Sequence, residues 1–248
     1  MKENMKIKLN IDKQEFFNNG KIMLSHLGIQ SQIQNCLEKQ IEVVITKRAE
    51  KGKESYNGIS ATSLNIELRK LMKGIPNIYG ETHVENGVFF HDTKEGFDFS
   101  IYDTKCNMDR LRNYYIGSNG LFEGKEKLLG LYKKLNKKKK EWKKDIQEIY
   151  GTYPDYKDVQ VEKKTLTIVG EIQFGNWALA YRNLIRLLNA DMNPGIDYYI
   201  YIAATGKLKD KLSSNIVTYD SICNIIRENK NIVKTPMWII GLDCEEEK

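Results

Sequence analysis

Apolar residues along this chain recur with two rhythms, a period of two and a period of about 3.6, and the change from one to the other predicts the elements. Lys6 to Ile11 alternates apolar and polar residues as a short strand does. From Ile29 to Ile45 the positions Ile29, Ile33, Cys36, Leu37, Ile41 and Val44 follow the helical period and predict one helix. Lys47 to Gly58 is polar and contains glycine, so it reads as a loop. A second helix is expected over Thr62 to Lys73, with Leu64, Leu68, Leu71 and Met72 on one side, Gly74 as its stop and Pro76 just beyond. Val88 to His91 and Phe97 to Tyr102 flank Asp92 to Gly96 and predict a hairpin.

The last hundred or so residues alternate more regularly. Tyr156 to Val161 and Leu166 to Phe174 predict paired strands, Trp177 to Ala190 a helix, Asp197 to Ala203 a strand, Thr218 to Glu228 a capped helix, and Pro236 to Leu242 a final strand. That ββαβαβ order over 151–248 predicts an α/β fold, a mixed sheet flanked by helices. Ile200, Ile202, Met237, Trp238, Ile239 and Ile240 lie in strands apolar enough to be buried on both faces. Trp177, Tyr181, Leu184 and Leu188 stand at helical spacing and are expected to face the core. No internal repeat and no linker rich in Pro, Gly or Ser divides the 248 residues, so 1–150 is read as a helical and hairpin part, ending in a basic helical insertion, of one domain.

Charge changes this picture in one place. The net charge of +6 is modest, but Lys133-Lys134, Lys137 to Lys140 and Lys143-Lys144 are crowded into one run. Leu128, Leu131, Leu135, Trp142, Ile146 and Ile149 thread that run at near-helical spacing, so one side packs and the other carries lysine. Such a surface suits a phosphate backbone, or merely solvent.

Composition excludes other chemistries. The four cysteines are scattered, with no CxxC pair and no histidine at zinc-ligand spacing, and Cys36 and Cys223 read as small core hydrophobes. His26, His83 and His91 offer few general bases. No apolar run is long enough to cross a bilayer, and Met1 to Leu9 lacks the pattern of a signal peptide, so a cytoplasmic location without a membrane partner is expected.

Glu171 is the residue that does not fit a simple core strand. It follows Leu166-Thr167-Ile168-Val169-Gly170 and precedes Ile172-Gln173-Phe174, which puts a carboxylate and an amide, two apart, on one face of an apolar strand. A carboxylate there needs a cation or strong hydrogen bonds. Tyr153-Pro154-Asp155 lies upstream, and a turn centred on Lys163 would set Asp155 directly across from Glu171. Two carboxylates and an amide suit Mg²⁺ rather than zinc.

Pro154-Asp155, then Glu171-Ile172-Gln173 on the next strand, followed by a helix and alternating elements, resembles the PD-(D/E)xK nuclease superfamily. More narrowly, Glu171-Ile172-Gln173-Phe174-Gly175-Asn176 with Arg182-Asn183-Leu184 resembles the BglII-like type II restriction endonucleases, in which glutamine replaces the usual lysine. The likeness covers roughly Tyr153 to Asp243 and implies a restriction-endonuclease-like core within a single catalytic domain. It further implies Mg²⁺-dependent hydrolysis of DNA at a short double-stranded site by a homodimer, with Asp155 and Glu171 holding the metal and Gln173 positioning water. An amide orients water but accepts no proton from it.

In that family the upstream acid lies closer to the glutamate, which would select Glu162. That choice would put the turn within Leu166-Thr167-Ile168, a run without a turn residue, so Asp155 is preferred, with Glu162 and Asp98 as alternatives. Glu67 is either an accessory acid or a solvent-facing helical glutamate. Asn176 would read a base edge or cap the next helix, while Arg182, Arg186, Lys137, Lys138, Lys139 and Lys140 would touch phosphate or solvent. Two other functions fit the same residues, a structure-selective repair or recombination nuclease and a DNA-binding protein with a decayed site.

Overall fold

The computed structural model describes residues 3–25, 28–48, 55–91, 96–135, 144–148, 157–191 and 195–246. The chain begins with β1 (Asn4–Phe17), α1 (Gly20–Ser25), α2 (Ile29–Leu37), β2 (Gln40–Arg48), β3 (Tyr56–Ile59) and α3 (Ala61–Met72). There follow β4 (Ile78–Glu85), β5 (Val88–Phe90), β6 (Phe97–Ile101), α4 (Thr104–Ile116) and α5 (Gly124–Leu135). The last elements are β7 (Ile168–Gln173), α6 (Ala178–Asp191), β8 (Tyr198–Ala204), α7 (Gly206–Lys211), α8 (Tyr219–Glu228) and β9 (Met237–Glu246). Two compact units result, one of residues 1–78, 170–188 and 198–248, the other of 79–169 and 189–197.

In the first unit the strands run in the order β3-β2-β1-β9-β8-β7. β1 pairs antiparallel with both β2 and β9, with a bulge between Ile11 and Lys13, and β8 runs parallel to β9 from Tyr199 opposite Met237 to Ala204 opposite Leu242. Every residue of β8 is buried, as are Met237 to Leu242 of β9, because both faces are covered. α7 and α8 pack on β9, and α8 also touches β8. Thr218 caps α8: its hydroxyl accepts from the Ser221 N–H, and the Ser221 hydroxyl accepts from the Thr218 N–H.

The helix expected over Ile29 to Ile45 splits in two. It ends at Leu37, and Gln40–Arg48 is a strand whose Ile41 and Val43 are buried while Glu42 is exposed. Val43, Val44, Ile45 and Thr46 are β-branched and favour a pleated surface, and Ile41 finds Ile7 of β1 as its partner. The helical period read through Ile41 and Val44 is coincidental.

The second unit contains a hairpin, but not the one expected. β5 pairs antiparallel with β4, from Glu85 opposite Val88 to His83 opposite Phe90, and the sheet order places β4 between β5 and β6. Its turn is Asn86-Gly87, both at positive φ (50° and 74°), the combination a tight hairpin turn demands. The Asn107 side chain fixes α4 to β5, accepting from the Phe89 N–H at 2.7 Å and donating to its carbonyl at 3.1 Å. Val88, Met108, Leu111, Leu128 and Ile146 close a core between these elements. Leu128 and Ile146 are therefore the packing side of the basic segment, as their spacing predicted. Lys133 and Lys134, at the end of α5, are exposed.

The strand expected over Tyr156 to Val161 is not formed by the described residues 157–161. Side chains replace a sheet partner there. Asn113 donates to the Val159 carbonyl at 2.8 Å and accepts from its N–H at 2.9 Å, Arg112 donates to the Lys157 carbonyl, and Asp158 accepts from the Ser118 N–H at 3.0 Å and from its hydroxyl. The hairpin register that opposed Asp155 to Glu171 therefore has no strand on which to run over 157–161.

Candidate active site

All six residues of β7 are buried, yet two of its side chains are polar, Glu171 at 3 % exposure and Gln173 at 7 %. Alternation along the strand puts both on one face. The chain then turns sharply into α6. Asn176 makes that turn, its side-chain oxygen accepting from the Ala178 N–H at 3.0 Å and its backbone bridging to Ile216. The Val217 N–H donates to the Gly175 carbonyl and the Trp177 N–H to the Asn215 carbonyl, so the 215–217 segment pins the strand-to-helix corner.

From that corner α6 lies with Ala180, Asn183, Leu184 and Leu187 buried, positions three and four apart. Arg186 stands on the same side. Its Nη1 donates to Glu171 Oε1 at 2.5 Å, forming an ion pair whose side chains are 18 % and 4 % exposed. Asn183 Nδ2 donates to Gln173 Oε1 at 3.3 Å, and Asn183 itself has no exposed surface. Each polar residue of the strand is thus held by a polar residue of the following helix. Gly175 lies close by: a methyl group there would come within 2.9 Å of Gln173 Nε2.

The remaining candidates are distributed more widely. Asn176 and Arg182 are exposed on the corner and on α6. Glu67, on α3, pairs with Lys70 at 2.5 Å. Asp98 is on β6 of the second unit. Glu162 is exposed in the irregular 157–167 stretch, 3.9 Å from Lys164. Asp155 and Lys137 to Lys140 lie outside the described residues. Trp177 and Tyr181, expected in the core, are exposed at 54 % and 42 %, because the buried side of α6 is centred on Asn183 and Leu187. Leu184 is buried as expected.

The donors fit a hard divalent cation in kind. A buried carboxylate on an otherwise apolar strand is the group such an ion binds. Among the described residues no three His, Cys, Asp or Glu gather at one point.

Residues 123–242 match the family model of restriction endonuclease BglII/BglIII. Over this segment, just under half of its length, the chain is similar to the BglII-like restriction endonucleases. The matched segment contains Glu171, Gln173, Asn176, Asn183 and Arg186, so the strand, the corner and the helix that holds them are all within it. Among solved structures, the chain is similar to the restriction endonuclease BglII complexed with a DNA 16-mer, with 12 % sequence identity, a TM-score of 0.52, and 97 % of this chain and 80 % of that one covered. That likeness establishes the restriction-endonuclease fold. No curated protein matches.

Sequence reasoning missed two partnerships of this BglII-like site, Arg186 with Glu171 and Asn183 with Gln173. A signal for the second was present, since Asn183 interrupts the apolar stripe of Ala180, Leu184 and Leu187 at a position where a polar group must find a partner.

Proposed function

We propose that this chain is a Mg²⁺-dependent type II restriction endonuclease that hydrolyses DNA at a short double-stranded site as a homodimer. The observation that carries the reading is Glu171-Ile172-Gln173 on buried β7, inside the segment that matches the BglII family. Within it, Glu171 is the carboxylate that would hold the metal, joined by an acid sought among Asp155, Glu162 and Asp98. The ion would supply charge neutralisation at the phosphate and acidify the attacking water. Gln173 orients water by hydrogen bonding. Arg186 supplies a counter-charge to the Glu171 carboxylate and directs it while no phosphate is near. Arg182 and Lys133-Lys134, all exposed, carry positive charge toward a DNA backbone, a role also proposed for Lys137 to Lys140. Asn176, exposed at the corner, would offer its amide hydrogens to a base edge.

The homodimer draws support from α6. Trp177, Tyr181 and Ile185, four residues apart, leave 54 %, 42 % and 58 % of their surface exposed, and the first two rings meet edge-on at 5.9 Å. An exposed aromatic and aliphatic stripe of this kind suits a second copy of the helix, and a two-fold protein matches a two-fold DNA site.

Incubation of the protein with plasmid DNA and Mg²⁺ tests the reading. Discrete fragments that vanish with Glu171→Ala, DNA binding being retained in Ca²⁺, are expected. Uncut DNA at every enzyme concentration would sink it, and cleavage confined to branched DNA would select the repair-type alternative.

A further inference from the structure

Gln173 stands where related nucleases carry a lysine, and an amide differs from an ammonium in having two unlike ends. A lysine offers hydrogens whichever way it rotates. A glutamine offers them from Nε2 alone, and its usefulness as a donor depends on which end faces the reaction. Something must decide that orientation.

We infer that Asn183 is a positioning residue that decides it, making Gln173 a fixed hydrogen-bond donor; the inference rests on the nuclease reading above. Asn183 is completely buried and its Nδ2 donates to Gln173 Oε1 at 3.3 Å. That contact takes up the acceptor end of the amide and leaves Nε2 as the end available to a phosphate oxygen or to water. Gly175 makes room for that end, since a side chain at 175 would come within 2.9 Å of Nε2. Among the described residues Asn183 Oδ1 has no hydrogen-bond partner, which leaves a buried acceptor unsatisfied beside the site. A residue serving only to fill the core of α6 would not need that unsatisfied oxygen, because an apolar side chain fills a core without leaving a polar atom unpaired. The unpaired Oδ1 is explained if the donor half of Asn183 is what faces Gln173.

The chemistry is a matter of polarity. An outward N–H stabilises charge accumulating on a phosphate oxygen, or holds the lone pair of the attacking water in line; an outward C=O does neither for the phosphate. Asn183 thus restores to glutamine the donor direction that lysine has by default, without adding a positive charge next to Arg186.

The test is a double-variant cycle on DNA cleavage by the full chain with Mg²⁺, with DNA affinity measured separately in Ca²⁺. Asn183→Asp, assayed at a pH where the new carboxyl is ionised, offers only acceptors, so Gln173 must turn Nε2 toward it and present oxygen outward. We expect kcat to fall by on the order of 100-fold, as loss of one preorganised donor does, with affinity for DNA unchanged. In a Gln173→Ala background the same change should have no further effect on kcat, because Asn183 acts through Gln173. Gln173→Glu checks the polarity without touching Asn183: it keeps the acceptor that Asn183 holds, removes the outward N–H, and should lose as much kcat as Gln173→Ala. Asn183→Asp cleaving within about twofold of the wild type, multiplicative losses in the double variant, or an active Gln173→Glu would each overturn the inference. If Asn183→Asp does not fold, seen as lost DNA binding, the Gln173→Glu result decides. A wild-type chain that leaves DNA uncut instead overturns the nuclease reading, and the inference falls with it.

Discussion

Arg186 Nη1 lies 2.5 Å from Glu171 Oε1, so the buried carboxylate of β7 has its counter-charge on the helix that follows. Breaking such a pair from one side costs more than removing both charges together. Arg186→Met should therefore lower the unfolding free energy by about 3 kcal/mol, and Glu171→Gln with Arg186→Met should recover most of it. Urea unfolding of the three proteins measures this. Equal losses in the single and double variants would show that the pair carries no special weight.

Gly175→Ala adds a methyl group 2.9 Å from Gln173 Nε2, and the far end of a side chain yields more readily than backbone. Stability should change by about 1 kcal/mol or less, while cleavage should drop at least tenfold as the amide is pushed aside. A thermal melt and an initial-rate assay on the same preparation separate the two effects. A loss of stability with unaltered cleavage would mean that Nε2 has no part in the reaction.

Charging the exposed stripe of α6 should dissociate the proposed dimer. Tyr181→Glu with Ile185→Glu is expected to halve the sedimenting mass and to convert double-strand cleavage into slow nicking. A wild-type protein that already sediments as a single chain would end this proposal.

All four cysteines are buried, and burial pushes the Cys223 thiol up to about 12 and the Cys244 thiol up to about 11. A thiol whose folded pKa is raised favours the folded state below its ordinary value of 9, and that contribution is lost as pH rises from there through the folded value. Stability should accordingly decline between pH 9 and pH 11, and Cys223→Ala should flatten the decline. Before unfolding, none of the four thiols should react with a disulfide reagent at pH 8; rapid reaction of any one in the folded protein would contradict the burial.

Removing the α8 cap is a local test. Thr218→Ala deletes the acceptor for the Ser221 N–H and should cost about 1 kcal/mol. A serine at the same position should restore it.

The amino-acid order by itself determined what is local. Alternation within one strand is enough to put Glu171 and Gln173 on a common face, and the Thr218 cap and α3 between Ser60 and Gly74 follow from near neighbours. Asn86-Gly87 was equally local, and a reading centred on Asp92 to Gly96 passes over it. Tertiary structure decided the rest, for one physical reason: a polar or amphipathic segment takes whichever partner the fold brings near. Gln40–Arg48 has helical spacing as well as β-branched residues, and only the edge of β1 resolves that choice. Val159 would extend a strand were Asn113 not already satisfying both its backbone groups. Trp177 and Tyr181 look like core until the rotation of α6 turns Asn183 and Arg186 inward instead. That same rotation is what sets an amide against Gln173 and a guanidinium against Glu171, ten and fifteen residues away along the chain.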